Sequence, residues 1–300
     1  MPLDHEPLTD ETLNEVIAFV QAANPFAQHA WGWDVGRFVD WRWASTVFER
    51  ANPNWFSEHC RVFRDGAAIR ALAIAEYGSE AECIITAGPD PEAAAFVVSW
   101  LVDTHSARGI GLRFDCSDAE EWLRELLESA DMVEQAPSGV DWEYDLRDLG
   151  DPPPVAQGFT IESILDAEED DYAGIAECIQ AGFGSETDHE PDLRNLESNP
   201  LFRPELSLFA RSPDGRIAAY CRGTVDPTNG VSSIDPVVTH PDFQRLGLGK
   251  AVVHACLQAQ RAAGGRFSYI GSAPEPAPGT YLYRALGPSK KNTITSWGVP

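Results

Sequence analysis

The sequence predicts an α/β protein made of two consecutive domains, each with a mixed sheet. The chain has 300 residues, about twice the commonest domain length. Three consecutive prolines, Pro152 to Pro154, cannot lie in a helix or a central strand, so they indicate a linker. On both sides of it the apolar pattern predicts the same order: helices, antiparallel strands, then alternating strands and helices. We therefore place the domains at residues 1–150 and 156–300.

The first domain is expected to contain four helices and five strands, which apolar periodicities of 3.6 and 2 distinguish. Helices are predicted at residues 10–22, 34–49, 91–105 and 118–129. Strands are predicted at residues 59–65, 68–77, 81–87, 111–117 and 140–146.

The second domain repeats this plan. Strands are predicted at residues 159–165, in a hairpin over 205–226 that turns at Pro213-Asp214-Gly215, and at 231–240, 266–272 and 292–299. Helices are predicted at residues 170–183, 190–198, 249–265 and 279–287. One face of the helix over 249–265 carries the residues that we expect to be buried, namely Val252, Val253, Cys256, Leu257 and Gln260.

Charge restricts the classes of partner. The formal net charge is −25, and residues 1–150 contribute 28 acidic against 10 basic side chains. Binding to nucleic acid or an anionic membrane requires clustered Lys and Arg, so neither is expected as the main partner. Within residues 240–291 the sign reverses, because seven Lys and Arg side chains face two acids there. An anion site is therefore expected in that region of an otherwise acidic chain.

The six cysteines and seven histidines are dispersed, without a C-x-x-C pair or the spacing of a metal site. We expect reduced, buried thiols and no metal. Because the sequence has neither a basic, apolar leader nor an apolar run of 18 residues, a cytoplasmic protein is expected. For the oligomeric state, a monomer and a homodimer are both left open.

The most informative segment is "DPVVTHPDFQRLGLGKAVV", residues 235–253, in which an apolar strand leads through a glycine loop into a helix. Such a turn directs backbone N–H groups at an anion. A nucleoside triphosphate loop would need Ser or Thr after Lys250, where the chain has Ala251. A dinucleotide fingerprint would need a third glycine, where the chain has Val252.

The pattern that remains is Q-x-x-G-x-G, from Gln244 to Gly249, followed at a distance by "YLYRALG", residues 281–287. In this setting the chain resembles the Gcn5-related N-acetyltransferase (GNAT) family over roughly residues 156–300. The resemblance implies two tandem GNAT domains and acetyl-CoA as co-substrate. It also implies backbone contacts to the pantetheine arm and the diphosphate, from Val237, Val238, Thr239, Gln244, Arg245, Leu246, Gly247, Leu248, Gly249 and Lys250.

The resemblance also implies catalytic residues. Tyr283 aligns with the tyrosine that protonates the CoA sulfur in many members. The glutamate that some members use as a base aligns with Ser233, and Asp235 is the nearest carboxylate, so Asp235 is the candidate base. A packing role for Tyr283 and a structural role for Asp235 are the alternatives. Two departures, Pro276 and Gly287-Pro288, concern the sulfur end of the site.

Four residues between the first two helices of the second domain are candidates for acceptor contacts or for solvated loop charges: Glu186, Asp188, His189 and Glu190. The equivalent of the glycine loop in the first domain, residues 86–98, carries prolines and acids and contains no G-x-G, so it is expected to bind no CoA. The predicted activity is direct acetyl transfer to an amine of a small molecule. The alternative is a non-catalytic acyl-CoA sensor.

Overall fold

The computed structural model describes residues 2–23, 33–76, 78, 82–86, 90–108 and 111–299. In sequence order, the described elements of the first part of the chain are β1 (Asp4–Pro7), α1 (Leu13–Ala23), α2 (Val35–Trp43), α3 (Thr46–Ala51), α4 (Trp55–His59), β2 (Cys60–Asp65), β3 (Ala68–Ile74), β4 (Glu82–Thr86), α5 (Pro91–Arg108), β5 (Arg113–Ser117), α6 (Glu121–Ser129) and β6 (Val133–Asp145).

The second part of the chain follows after the extended residues 151–156. Its elements are β7 (Thr160–Ser163), α7 (Glu169–Phe183), α8 (Glu190–Asn195), β8 (Ser207–Arg211), β9 (Ile217–Asp226), β10 (Val231–Thr239), α9 (Leu248–Ala262), β11 (Phe267–Ser272), α10 (Pro278–Arg284) and β12 (Lys290–Gly298). The order predicted for this second part from the apolar pattern agrees with these elements.

In the first part of the chain two predicted elements have other bounds, and two elements, β1 and α4, were not predicted. The helix expected over residues 34–49 is broken at Ala44 and Ser45 into α2 and α3. At the break, the Thr46 N–H donates to Asp192 Oδ1 at 2.9 Å instead of joining α2, so a tertiary contact ends the helix. The strand expected at residues 140–146 begins earlier, at Val133.

The chain packs as two units that exchange segments. Unit 1 comprises Met1–Phe38, Phe48–Asp141 and Asn292–Pro300, and unit 2 comprises Val39–Val47 and Trp142–Lys291. The linear boundary at residues 150 and 156 stays a prediction about the two sequence domains. Packing does not follow it: most of β12, which we expected to close the second domain, pairs antiparallel with β5 in unit 1.

The strands of unit 1 show the expected pattern. β1, β2, β3 and β4 pair antiparallel in that order, and β4 then pairs parallel with β5. Helix α5 connects the parallel pair and buries Ala94, Val97, Val98 and Leu101 against apolar side chains that include Phe63 on β2. Burial of such a helix face is the main source of stability for an α/β layer.

Unit 2 repeats the arrangement. β7, β8, β9 and β10 pair antiparallel in that order, and β10 pairs parallel with β11, with α9 as the crossover helix. The face of α9 that the sequence predicts to be buried is buried, since Val252, Val253, Cys256, Leu257 and Gln260 all have no exposed surface. On the other side of the sheet, α7 packs Ile175 and Ile179 into a cluster with Tyr220 and Val238. The recurrence of the same strand and helix order confirms the predicted repeat.

Candidate active site

The loop between β10 and α9 has an unusual backbone. Arg245 and Gly247 both have left-handed conformations, with φ of 64° and 79°. Gly247 is the N-cap of α9 and offers no capping side chain, and the first turn of α9 contains no acid. Left-handed residues two apart turn successive N–H groups toward the same side, which is the geometry of an anion nest.

The N–H groups of this loop are unused. From Arg245 to Lys250, six consecutive backbone N–H groups donate to no acceptor within the described part of the chain, and the intrahelical bonds resume at Ala251, whose N–H donates to Gly247 O at 3.1 Å. Unpaired donors together with the positive end of a helix dipole stabilise a bound anion. The side chains of Arg245 and Lys250 also form no ion pair with any described residue, so their charge is available as well.

Gly249 lies where the loop packs against its neighbours. A Cβ at this position would be 2.9 Å from Thr239 Oγ1 and 2.8 Å from Leu282 Cδ1. The backbone here therefore approaches β10 and α10 as closely as glycine alone permits. A large side chain at Gly249 would displace these neighbours, so a substitution such as Gly249→Glu tests packing as well as anion binding.

Beside the loop, β10 separates from β11. The parallel pairing of these strands covers Val231 to Ser233, whereas the antiparallel pairing with β9 continues to Thr239, with an irregularity between Ile234 and Val237. Val237, Val238 and Thr239 therefore have a pairing strand on one edge only, among the residues that the structure describes. An extended ligand with amide groups can pair with the open edge as an added strand would.

Tyr283 lies on α10 and is 7% exposed. Burial raises the pKa of its hydroxyl well above the usual range, and the charge of Asp235 and the thiol of Cys221 act in the same direction. The hydroxyl is therefore a protonated donor at neutral pH. The backbone holds this residue in place, because Tyr144 Oη donates to Tyr283 O at 2.8 Å.

Asp235 lies at the irregularity of β10 and is exposed. Its charge acts in the same direction as burial on the pKa of the Tyr283 hydroxyl. Ser233 is not available as an alternative to Asp235, since its Oγ is hydrogen bonded to Thr224 Oγ1 at 2.7 Å. The catalytic roles of Tyr283 and Asp235 remain predictions.

A buried ion pair next to Asp235 was not predicted. Arg222, on β9, places Nη2 at 3.0 Å and Nε at 3.2 Å from Asp40 Oδ2. Asn199 Nδ2 adds a contact of 3.4 Å to Asp40 Oδ1. Burial raises the pKa of Asp40, and the Arg222 guanidinium opposes that rise. The sequence contains no signal for this pair, because 182 residues separate its members.

Asp40 belongs to a short segment of the N-terminal part of the chain that packs within unit 2, Val39–Val47. Besides the Arg222 pair, this segment is held by Asn195 Nδ2, which donates to Trp43 O at 2.6 Å, and by Asp192, which accepts from Thr46. Unit 2 is therefore incomplete without residues from the predicted first domain.

The four candidate acceptor residues mostly make local contacts. Asp188 Oδ1 accepts from the Glu190 N–H at 3.0 Å, and Glu190 Oε1 accepts from Arg194 Nη2 at 2.7 Å. His189 Nδ1 is 3.8 Å from Asp192 Oδ2. Glu186 is exposed. These contacts lie within the first turns of α8 and its preceding residues. They favour a local structural role for this segment over contacts to an acceptor.

The loop at the start of α5, the unit 1 counterpart of the glycine loop, is closed by a side chain. Asp90 Oδ1 accepts from the Ala93 N–H at 3.0 Å and Asp90 Oδ2 accepts from Arg70 Nε at 2.5 Å. A carboxylate therefore occupies the helix end where α9 presents free N–H groups. Residues 87–89, including Pro89, lie outside the described residues.

Other features of the described residues bear on function. Cys60, Cys116, Cys178, Cys221 and Cys256 are free and buried, which confirms the expected thiols at these positions. No three or more His, Cys, Asp or Glu residues that the structure describes are arranged to hold a metal ion. No described helix has the length and hydropathy needed to cross a membrane.

Unit 2 therefore combines an open sheet edge with a glycine loop at the start of a helix. Residues 161–287 match the profile of the family described as "Acetyltransferase (GNAT) family". This match covers 127 of the 300 residues and confirms, for that segment, the resemblance to the GNAT family seen in the sequence. The chain is also 38% identical over 84 residues to the uncharacterized N-acetyltransferase ycf52 of Pyropia yezoensis. That match covers 27% of this chain and 45% of the relative, less than half of its length.

Solved structures show the fold over the whole chain. A GCN5-related N-acetyltransferase from Sphaerobacter thermophilus is similar with a TM-score of 0.60 at 15% identity, over 99% of this chain and 96% of that protein. A tandem GNAT protein from the clavulanic acid biosynthesis pathway is similar with a TM-score of 0.62 at 13% identity, over 100% of this chain and 99% of that protein. The predicted fold class, two GNAT-like domains in tandem, is therefore confirmed.

Proposed function

We propose that the protein transfers the acetyl group of acetyl-CoA to an amine of a small molecule, at a site in unit 2. The observation that carries the proposal is the run of six unused N–H groups from Arg245 to Lys250, next to the open edge of β10. Bound acetyl-CoA would supply the activated acyl group and a thiolate leaving group. The loop residues would hold its diphosphate, and Val237, Val238 and Thr239 would pair with its pantetheine amides.

Two side chains provide the proton transfers that this reaction requires. An amine must be neutral before it attacks, and Asp235 is the exposed carboxylate that can accept its proton. The departing sulfur must gain a proton, and Tyr283 is a buried hydroxyl that stays protonated at neutral pH. The charge of Asp235 acts on the Tyr283 hydroxyl. This interaction supports assigning both proton transfers, from the amine to Asp235 and from Tyr283 to the sulfur, to one site.

Charge favours a cationic acceptor. The chain carries a net charge of −25, and the charges of Asp40 and Asp235 both act on Arg222. A negative potential raises the local concentration of a positively charged amine before it is deprotonated. Binding of one acetyl-CoA per chain is expected, because the corresponding helix start in unit 1 is capped by Asp90.

The experiment is a turnover assay with the full chain, acetyl-CoA and a panel of amines that includes a diamine, an amino acid amide and a lysine peptide. Release of free CoA thiol and the mass of the acetylated amine are both measured. Formation of an acetylated small amine supports the proposal. Tight binding of acetyl-CoA without transfer to any amine would favour the sensor alternative, and failure to bind acetyl-CoA would exclude both.

A further inference from the structure

Unit 1 contains a cavity of about 430 Å³ that is separate from the glycine loop of unit 2. It lies between the edge formed by β1, β2 and β3 and the C-terminal half of α5, with α4 at one end, and all of its lining residues belong to unit 1. This volume is in the range of small-molecule sites. Ala73 and Ala75 line it, and the small size of these side chains leaves the space open.

The lining is basic in an acidic part of the chain. Arg61 and Arg108 line the cavity together with His5, His59 and His105, against a single acid, Glu58. Residues 1–150 contain only ten Lys and Arg side chains against 28 Asp and Glu. Three of the seven histidines of the chain line this cavity. Glu58 is already engaged, because its Oε2 accepts from Asn52 Nδ2 at 2.7 Å.

Arg61 has no anionic partner of its own. Its side chain donates no hydrogen bond and forms no ion pair within the part of the chain that the structure describes. Arg64 and Arg70, which are close in sequence, both bind carboxylates, at 2.6 Å and 2.5 Å. An arginine left unpaired in a half-buried cavity of an acidic protein is suited to a ligand anion, since its guanidinium matches carboxylate and phosphate groups.

Two histidines are fixed in orientation. His59 Nδ1 is 2.7 Å from Trp55 O, and His105 Nδ1 is 2.8 Å from Leu101 O. A backbone carbonyl can only accept, so Nδ1 carries a proton in both rings. The remaining atom, Nε2, accepts in the neutral ring and donates to an anion when the ring is protonated on both nitrogens. His105 is 7% exposed, so its ring is held rigidly.

An aromatic wall completes the cavity. The rings of Trp100 and His5 lie 4.7 Å apart, and Trp100 meets Phe63 edge-on at 5.3 Å. We propose that this cavity binds a small organic anion. Its carboxylate or phosphate is held by Arg61 and, when they are protonated on both nitrogens, by the two histidines, and its flat apolar body lies against Trp100. This site does not depend on the proposed acetyltransferase activity.

The test is calorimetric titration of the full chain with benzoate and phenyl phosphate, and with benzyl alcohol as the neutral probe. At least one anion is expected to bind with a stoichiometry of one, and benzyl alcohol should bind about tenfold more weakly or not at all. Which anion binds distinguishes a carboxylate ligand from a phosphate ligand. Binding should persist when CoA saturates unit 2.

Variants locate the site. Arg61→Gln should weaken anion binding about tenfold or more, whereas Arg50→Gln, at an exposed arginine of unit 1 outside the cavity, should leave it unchanged. Thr104→Glu, which places a carboxylate in the lining from the surface of α5, should weaken it too and covers the case in which Arg61→Gln does not fold. The proposal is overturned if neither anion binds, if benzyl alcohol binds equally well, if CoA displaces the anion, or if the folded cavity variants retain full affinity.

Discussion

Arg222 Nη2 and Asp40 Oδ2 lie 3.0 Å apart in a buried pair, with 10% and 15% of the two side chains exposed. Arg216 Nη1 and Asp242 Oδ2 lie at the same 3.0 Å, but 50% and 61% of these side chains are exposed. The two pairs share their geometry and differ in burial. They therefore separate the effect of desolvation from that of distance.

Asp40→Ala should lower the free energy of unfolding by roughly 3–5 kcal/mol, because it removes the carboxylate that is hydrogen bonded to the buried Arg222 guanidinium. Asp242→Ala should cost less than about 1 kcal/mol, since solvent screens the exposed pair. Urea denaturation of both variants measures the difference. Equal costs for the two substitutions would show that the buried pair contributes no more than a surface contact.

Tyr283→Phe should lower kcat by roughly 10² to 10⁴, with little change in KM for acetyl-CoA, because it removes the proton donor for the departing sulfur. The matched control is Tyr281→Phe, on the same helix, where the side chain is 62% exposed. Steady-state kinetics with both substrates varied is the measurement. Unchanged turnover in the Tyr283 variant would assign this residue to packing alone.

Leu246→Glu should weaken CoA binding about tenfold or more, because it adds a negative charge to the loop of unused N–H groups. This position is a cleaner probe than Gly249, since Leu246 is 45% exposed and its replacement displaces no packed neighbour. Leu165→Glu, at a side chain that is 65% exposed, is the control. Calorimetry that finds the same CoA affinity in both variants would contradict the assignment of the loop.

Stability should depend on pH through Glu120 in unit 1. Burial raises the pKa of this carboxyl from 4.5 to about 7. A folded-state pKa above the unfolded value means that the stabilisation is fully present below about pH 4.5 and is lost as the pH rises through about 7. The free energy of unfolding should therefore fall by roughly 3 kcal/mol across this window.

Glu120→Gln should remove that decline and make the protein more stable than the parent at pH 8, since the amide oxygen can still accept from the Ser117 N–H, as Glu120 Oε2 does at 3.1 Å. Denaturation at several pH values tests this. A parallel loss of stability in both proteins would attribute the pH dependence to other groups.

An acid-side dependence is expected from Asp171 in unit 2. Its hydrogen bonds with Arg211 hold the pKa of this carboxyl below its usual range. Because the pKa of Asp171 is lower in the folded state, its carboxylate stabilises the folded protein at pH values above the unfolded-state pKa of about 4. This stabilisation is lost as the pH falls below that value. Asp171→Asn should therefore flatten the acid limb of the unfolding curve. An unchanged acid limb would show that this pair does not contribute.

The local sequence was sufficient for the order of elements in the second part of the chain and for the glycine loop. Amphipathic periodicity identified α9 and its buried face, and the spacing of Gly247 and Gly249 identified the start of that helix. These features depend on residues within one or two turns of each other, so their physical causes are present in a short segment. The same reasoning joined α2 and α3, because the contact that separates them comes from Asp192.

The sequence by itself determined the class of fold and the position of the glycine loop, since both follow from local patterns, and the family resemblance identified Tyr283 on α10 as the candidate proton donor. Only the tertiary structure decided that β12 pairs in unit 1, that Val39–Val47 packs in unit 2, and that Asp40 neutralises Arg222 beside Asp235. These arrangements join residues far apart in the chain. Their stability comes from burying surface and charge that no short segment can bury alone.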